Sequence, residues 1–285
     1  MFKQQILSHP AVGFGTMELC FTADRPPFDD AVAMLESLVS DHGLTFIDTA
    51  DSYCLSEKDF GYGNRLVSKF IGRKDVRIAT KIGFKRDGGA WTRCGDPKYL
   101  RSACEGELKD LGVEQIPLCQ FHTPDPKVPI EESLGEMIRL QAEGKIGEIG
   151  ISNFYTVDEL QRASSVAKIV SLQNPLSMLF YKPEDHDPVL RYCEDNGIIF
   201  LAYAPVGGHR NKGALEGIPE IASIAQKAGL SPYMLALLFL KSLSPAIVSI
   251  PGSVNKDHII ANLAANTMTL SKETETEITQ LLTEE

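Results

Sequence analysis

Asp48, Tyr53, Lys81 and His122 are the residues of this 285-residue chain that are hardest to explain as packing alone. Asp48, Lys81 and His122 close three short apolar runs, Thr45-Phe-Ile-Asp, Val76-Arg-Ile-Ala-Thr-Lys and Ile116-Pro-Leu-Cys-Gln-Phe-His. Tyr53 follows in Asp48-Thr-Ala-Asp-Ser-Tyr, in the loop just past a strand end. A strand buried on both faces is almost wholly apolar, so a polar side chain at its C-terminal end asks for a role. Lysine is rarely buried unless it is paired or reactive, and Asp48 is the natural partner for Lys81. An ammonium beside a phenol favours the phenolate and brings its pKa down from about 10 toward neutrality, which makes Tyr53 a usable proton donor and acceptor. Beside that trio, His122 is a donor able to polarise a carbonyl. Taken singly, each has an ordinary use: a cap for Asp48, a half-buried loop aromatic for Tyr53, a structural group for His122.

The elements that must bring these residues together are legible as an alternation of short apolar runs with amphipathic helical segments. The remaining runs are Ala11-Val-Gly-Phe-Gly, Ile146-Gly-Glu-Ile-Gly-Ile-Ser, Ile169-Val-Ser-Leu-Gln, Ile198-Ile-Phe-Leu-Ala-Tyr and Ala246-Ile-Val-Ser-Ile-Pro. Between them lie segments such as Pro129 to Gly144, with apolar residues at helical spacing, glutamates in the first turn and a glycine at the end. Asp96-Pro97 opens another helix as an N-cap followed by proline at N1. Strand–helix alternation implies parallel strands, and eight such units close into an α/β barrel of the (β/α)8 TIM type. An open doubly wound sheet is the rival, weakened because Gly13-Phe-Gly15-Thr16 lacks a third glycine and a helix directly after it. In a barrel the strand ends converge on one mouth. No linker divides the chain, so residues 1–285 are expected to form a single domain, with Met1 to Ser8 as an extra strand across the barrel bottom.

Composition excludes several function classes. With 43% hydrophobic and 23% charged residues the chain can build a sizeable core and is not a disordered or coiled-coil protein. A net charge of −10 disfavours a nucleic-acid backbone or an anionic lipid surface as partner. The longest strongly apolar stretch, Tyr233 to Leu240, is far short of a membrane span, and the first residues carry no secretory h-region, so a cytoplasmic location is expected. The six cysteines show no C-x-x-C pair and read as reduced thiols, and the six histidines show no metal-ligand spacing. A small molecule is the expected partner, and the oligomeric state is left open.

Taken in order, these segments resemble the aldo-keto reductase family over nearly the whole chain. The markers are Gly13-Phe-Gly-Thr16, Phe46-Ile-Asp48-Thr-Ala-Asp-Ser-Tyr53, Ala79-Thr-Lys81, Gln120-Phe-His122, Gly147-Glu-Ile-Gly-Ile-Ser152-Asn153-Phe, Gln173-Asn-Pro, Ala202-Tyr203-Ala-Pro205 and Ile250-Pro-Gly-Ser253. The resemblance implies a catalytic tetrad of Asp48, Tyr53, Lys81 and His122. In it the tyrosine protonates a carbonyl oxygen while NADPH delivers hydride to the carbon. Ser152, Asn153 and Gln173 match positions that bind the nicotinamide carboxamide, and Tyr203 matches the ring that stacks on the nicotinamide. Amide-capable side chains and a tyrosine face suit such a ligand. The resemblance also implies NADP contacts from Gly15, Thr16 and Met17, from Ala204, Pro205, Val206 and Gly207, and from Ser253, Lys256, His258 and Asn262. At the far end of the cofactor the family's frequent arginine is His258 and the acid of its usual Glu-Asn pair is Ala261. Ser253 and Lys256 remain as ligands for a 2′-phosphate near a helix N-terminus.

Met17 stands where many members place an aromatic wall residue, the segment after Tyr203 reads as short, and the sequence stops soon after Leu270-Ser-Lys-Glu. An open, shallow pocket for bulky or varied aldehydes and ketones is therefore expected. Cys54 beside Tyr53 is either an ordinary loop thiol or an oxidation-sensitive modulator. Two other functions share these residues. Lys81 at a strand end could form a Schiff base in an aldolase, and the barrel could serve as a slow-turnover, redox-sensing nicotinamide-binding subunit.

Overall fold

The structure is a computed structural model that describes residues 11–22 and 24–283. The apolar runs all become strands: β1 (Phe14–Gly15), β2 (Phe46–Asp48), β3 (Arg77–Ile82), then β6 (Ile116–Phe121), β7 (Ile146–Ser152), β8 (Ile169–Pro175), β9 (Ile199–Tyr203) and β10 (Ile247–Ser249). They form one eight-stranded parallel sheet in the order β1-β2-β3-β6-β7-β8-β9-β10. A parallel bridge between Val12 and Ser249 joins the first segment to the last, with the Gly13 N–H donating to the Ser249 carbonyl at 2.9 Å and Ser249 N–H to Ala11 at 2.8 Å. The sheet is therefore a closed (β/α)8 barrel, as the alternation predicts. The expected strand Met1 to Ser8 lies outside the described residues.

Alternation along each strand separates two environments. Phe46, Ala79, Leu118, Val170, Ile199, Leu201, Val248 and Ile250 fill the barrel interior, whereas Ile47, Ile78, Ile82, Cys119 and Phe121 pack outward against the helices. The same parity sends Asp48, Lys81 and Gln120 inward and Thr80 outward. Registers Asp48↔Ala79, Lys81↔Gln120 and Ser152↔Gln173 hold the polar ends at the mouth. Gly150 keeps this interior open to side chains, since a Cβ there would lie 2.2 Å from Ser171 Oγ and 2.8 Å from Gln120 Cγ.

Helix Pro97–Leu111 starts as predicted, with Asp96 accepting from the Tyr99 N–H at 2.9 Å and Pro97 in the first turn, and it ends at Gly112 with φ +69°. Its buried stripe is Leu100, Ala103, Cys104, Glu107 and Leu111. An antiparallel hairpin of β4 (Phe84–Asp87) and β5 (Ala90–Arg93) is inserted between β3 and that helix. Gly88 and Gly89 form its two-residue turn at φ +58° and +81°, the left-handed pair that matches strand twist. The segment after Tyr203, which the sequence suggests is short, runs from Ala204 to Ile218 before the next helix, Pro219–Lys227, and contains a short helical turn at His209–Asn211. Gly207 and Gly208 turn it at positive φ. No helix among the described residues is long and apolar enough to cross a membrane.

Candidate active site

Lys81 is fully buried and all three of its ammonium protons find acceptors: Asp48 Oδ1 at 2.5 Å, the Thr49 carbonyl at 2.8 Å and Tyr53 Oη at 3.2 Å. The second carboxylate oxygen of Asp48 accepts from Gln173 Nε2 at 2.8 Å and Gln120 Nε2 at 3.3 Å. Tyr53 and His122 are each 7% exposed, with ring centroids 5.9 Å apart in an edge-to-face arrangement. Residues from β2, the loop after it, β3 and the end of β6 thus meet at the barrel mouth.

Burial governs the proton equilibria. It pulls the Lys81 ammonium below its usual value and pushes the Asp48 carboxyl above its own, and the contact between the two opposes both movements. Burial also pushes the Tyr53 phenol well above its usual value, and the Asp48 carboxylate adds to the effect. The sequence expectation that Lys81 would bring Tyr53 toward neutrality is corrected here. The ammonium charge is already matched by Asp48 at 2.5 Å, so the cost of placing a phenolate in this apolar niche dominates. Tyr53 rests as a phenol with Lys81 in contact with its oxygen. Burial, and then the Lys81 charge, hold His122 well below its usual value, so its imidazole is neutral. Its Nδ1 is buried without a partner among the described residues.

The aromatic wall found missing at Met17 comes from elsewhere. Met17 is 36% exposed at the start of helix Met17–Phe21. Trp91 of β5 lies 6.2 Å from both Tyr53 and His122, 5.3 Å from Phe84 and 5.5 Å from Phe21, and Phe84 lies 4.7 Å from His122, all edge-to-face. Sequence reasoning missed this wall. The signals were present: the chain's single tryptophan, and the Gly88-Gly89 pair just before it.

The residues assigned to a cofactor are dispersed around the same mouth. Ser152, Asn153, Gln173 and Tyr203 come together at the ends of β7, β8 and β9, but their polar atoms already have protein partners. Gln173 donates to Asp48, Ser152 Oγ to the Gln173 carbonyl at 2.8 Å, and Asn153 Nδ2 to the His122 carbonyl at 2.9 Å. Asn153 Oδ1 accepts from Tyr203 Oη at 2.9 Å and from Tyr155 Oη at 2.8 Å, with Tyr155 53% exposed. Asn153 is held at φ +64° and Ala204 at +51°, backbone conformations unusual for these residue types. Gly15 and Thr16 are buried beside β2, with Thr16 N–H donating to the Asp48 carbonyl at 2.9 Å. Pro205 and Gly207 are buried and Val206 half-buried in the segment after Tyr203. Ser253 Oγ accepts from Asn255 N–H at 3.0 Å, Lys256 Nζ donates to Ser37 Oγ at 2.7 Å, His258 is exposed and Asn262 half-buried on helix Lys256–Leu263. These residues fit a nicotinamide dinucleotide. A half-buried tyrosine and an amide whose acceptor is shared with an exposed, displaceable hydroxyl suit a flat carboxamide, and a lysine whose hydrogen bond goes to a neutral hydroxyl suits a phosphate.

Cys54 is buried, its Sγ donating to the Ser52 carbonyl at 3.3 Å, and burial pushes its thiol up to about 11, so it is an ordinary loop thiol rather than a reactive one. Lys81 lacks the free, exposed amine that a Schiff base needs. Among the described residues no group of three or more His, Cys, Asp or Glu is gathered as a metal site.

The geometry has counterparts in known proteins. Residues 11–283 match the sequence profile of the aldo/keto reductase family. An uncharacterised oxidoreductase of Schizosaccharomyces pombe is 34% identical, the alignment covering 92% of this chain and 83% of that protein. A probable aldo-keto reductase of Glycine max is 30% identical over 92% of this chain and 82% of its own. Among solved structures, a Klebsiella pneumoniae aldo/keto reductase in complex with NADP and acetate superposes with a TM-score of 0.77 at 25% identity, over 96% of this chain and 91% of that one. The chain belongs to the aldo/keto reductase family, and it is an oxidoreductase.

Proposed function

We propose that the protein, read as one barrel domain over residues 1–285, reduces an aldehyde or ketone to an alcohol with NADPH, and that Tyr53 is the proton donor. The observation that carries the reading is the contact of one buried ammonium, Lys81, with both the Asp48 carboxylate and the Tyr53 oxygen. A reduced nicotinamide bound at the mouth supplies the hydride. This chain's residues do the rest. The carbonyl sits against Tyr53 and His122 with its apolar body along Trp91 and Phe84. As the carbon accepts hydride, the oxygen takes the Tyr53 proton, and C=O becomes CH–OH. The phenolate left behind keeps its hydrogen bond from Lys81, which Asp48 holds in place, and recovers a proton from water. The neutral His122 ring directs the carbonyl oxygen toward Tyr53. A phenol that rests protonated is poised to donate its proton in the reduction.

Asn153, Tyr203 and Ser152 would hold the nicotinamide, with Gln173 supporting them through Asp48, and Ser253 and Lys256 would hold a 2′-phosphate. All six cysteines are buried free thiols, which agrees with a reducing, cytoplasmic setting. In Tyr53→Phe the ring remains and the proton is gone, so NADPH binding should persist while turnover falls by at least about 1000-fold. NADPH oxidation with a panel of aromatic and aliphatic aldehydes measures it, and a variant as fast as the wild type sinks the assignment. Negligible steady-state turnover by the wild type, with bound NADPH oxidised once, favours the redox-sensing subunit instead.

A further inference from the structure

We infer that Arg86 is a positioning residue for this reaction: it clasps the loop that carries Tyr53 to the hairpin that carries Trp91, and so fixes the proton donor against the pocket wall. The inference rests on the reading of Tyr53 given above.

Arg86 lies on β4 and is 2% exposed. A guanidinium so deeply buried ordinarily meets a carboxylate, because an unpaired charge is costly away from water. No carboxylate among the described residues pairs with it. One terminal nitrogen donates to the carbonyls of Ser52 at 3.2 Å and Cys54 at 3.0 Å, the residues on either side of Tyr53. The other donates to Leu55 at 3.1 Å and, within its own hairpin, to Gly89 at 2.8 Å. The fork thus spans two chain segments and pins the Tyr53 backbone from both flanks, adding to the bonds from Tyr53 N–H to the Ala50 carbonyl at 3.3 Å and from Gly63 N–H to the Tyr53 carbonyl at 3.2 Å.

The guanidinium also supports the wall. Arg86 and Trp91 are directly paired across the hairpin, and the Arg86 carbon Cζ lies 4.3 Å from the Trp91 ring centroid and 5.2 Å from that of Phe21. Trp91 in turn meets Tyr53 and His122 in edge-to-face arrangements. A closed circuit results, running from the carbonyls flanking Tyr53 through the guanidinium and the indole back to the Tyr53 ring. A lysine could not replace it, since a compact ammonium with three protons cannot reach four carbonyls in two segments. Misplacing a reacting group by about 1 Å costs on the order of 100-fold in rate.

The test compares the full-length wild type with Arg86→Lys and Arg86→Met by steady-state carbonyl reduction, NADPH titration, thermal melting and tryptophan emission. Trp91 is the chain's single tryptophan, so its emission reports on this wall alone. Both variants should lose about 100-fold in kcat, with NADPH affinity within about twofold of wild type and Trp91 emission shifted in the free protein. Where Arg86→Met melts below the assay temperature, Arg86→Lys is assayed well below its own Tm. An Arg86→Lys variant with wild-type kcat and unchanged emission would overturn the positioning role, as would a loss of NADPH affinity as large as the loss of kcat, which marks general collapse of the mouth. A wild type that neither binds NADPH nor reduces a carbonyl defeats the functional reading instead. In that case unshifted emission in Arg86→Lys would still overturn the clasp.

Discussion

Two adjacent residues of β3 lead into two buried polar clusters with opposite electrostatic character. Lys81 points into the barrel, where the Asp48 carboxylate meets an ammonium and two side-chain amides. Thr80 points outward under helix Pro97–Leu111, where Glu107 meets only a hydroxyl, an amide and a thiol: Thr80 at 2.5 Å, Asn64 at 3.0 Å and Cys119 at 3.8 Å. Both carboxyls are about equally hidden from water, so the difference lies in the partners. Burial pushes Glu107 up to about 7, and its neighbour Asp51, raised by burial and by Glu107, rises well above the usual carboxylate range. The hydrogen bonds agree. Thr80 Oγ1 also lies 2.8 Å from Asn64 Oδ1, and a hydroxyl has one proton to give. Both contacts are satisfied when Thr80 donates to Asn64 and a protonated Glu107 donates to Thr80. The inner cluster has a charge arranged for chemistry, whereas the outer one avoids charge and braces a helix.

The sharpest way to break this contrast is Lys81→Met. It should lower kcat/KM by about 1000-fold and, by stranding Asp48, cost about 3–5 kcal/mol in denaturant unfolding. Adding Asp48→Asn should recover much of the stability and none of the rate. Recovery of both would mean that the inner cluster is merely structural.

Glu107→Gln probes the outer cluster. The folded-state value of about 7 stands above the usual 4.5, so the protonated carboxyl favours the fold. That contribution is complete below pH 4.5 and is lost as pH rises through 7. Wild type minus variant stability should therefore fall between pH 5 and 8, by up to about 3 kcal/mol, with carbonyl reduction at pH 7 within about threefold of wild type. Parallel melting curves across that range would refute the assignment of the proton to Glu107.

The smallest expected effect is at the rim of the inner cluster. Tyr155→Phe removes a hydroxyl that occupies Asn153 Oδ1, where a carboxamide N–H would otherwise donate. NADPH should bind about 3- to 10-fold tighter, the value of one hydrogen bond no longer given up. Equal or weaker binding in a fluorescence titration would show that Tyr155 does not compete there.

Much of the inner cluster was legible in the residue order. Asp48, Lys81, Gln173 and Tyr203 stand at the ends of apolar runs, and a period of two assigns them to the barrel lumen once the strands are parallel. The outer cluster left a fainter signal, a glutamate at the position a leucine would fill in the stripe Leu100, Ala103, Cys104, Glu107, Leu111. Asn64 gave no hint of its partner, because Glu107 reaches it across 43 residues.

What the sequence alone determined is therefore periodic and local: which runs are strands, which side chains face the lumen, that eight units close a ring, and that a lysine must meet an aspartate at its mouth. What the tertiary structure decided is what depends on removal from water and on partners from distant segments. The protonated resting state of Tyr53, the neutral His122, the Trp91 wall and the Arg86 clasp all belong there. Periodicity is written in neighbouring residues, whereas desolvation sums over everything packed around a group, and no stretch of chain carries that sum.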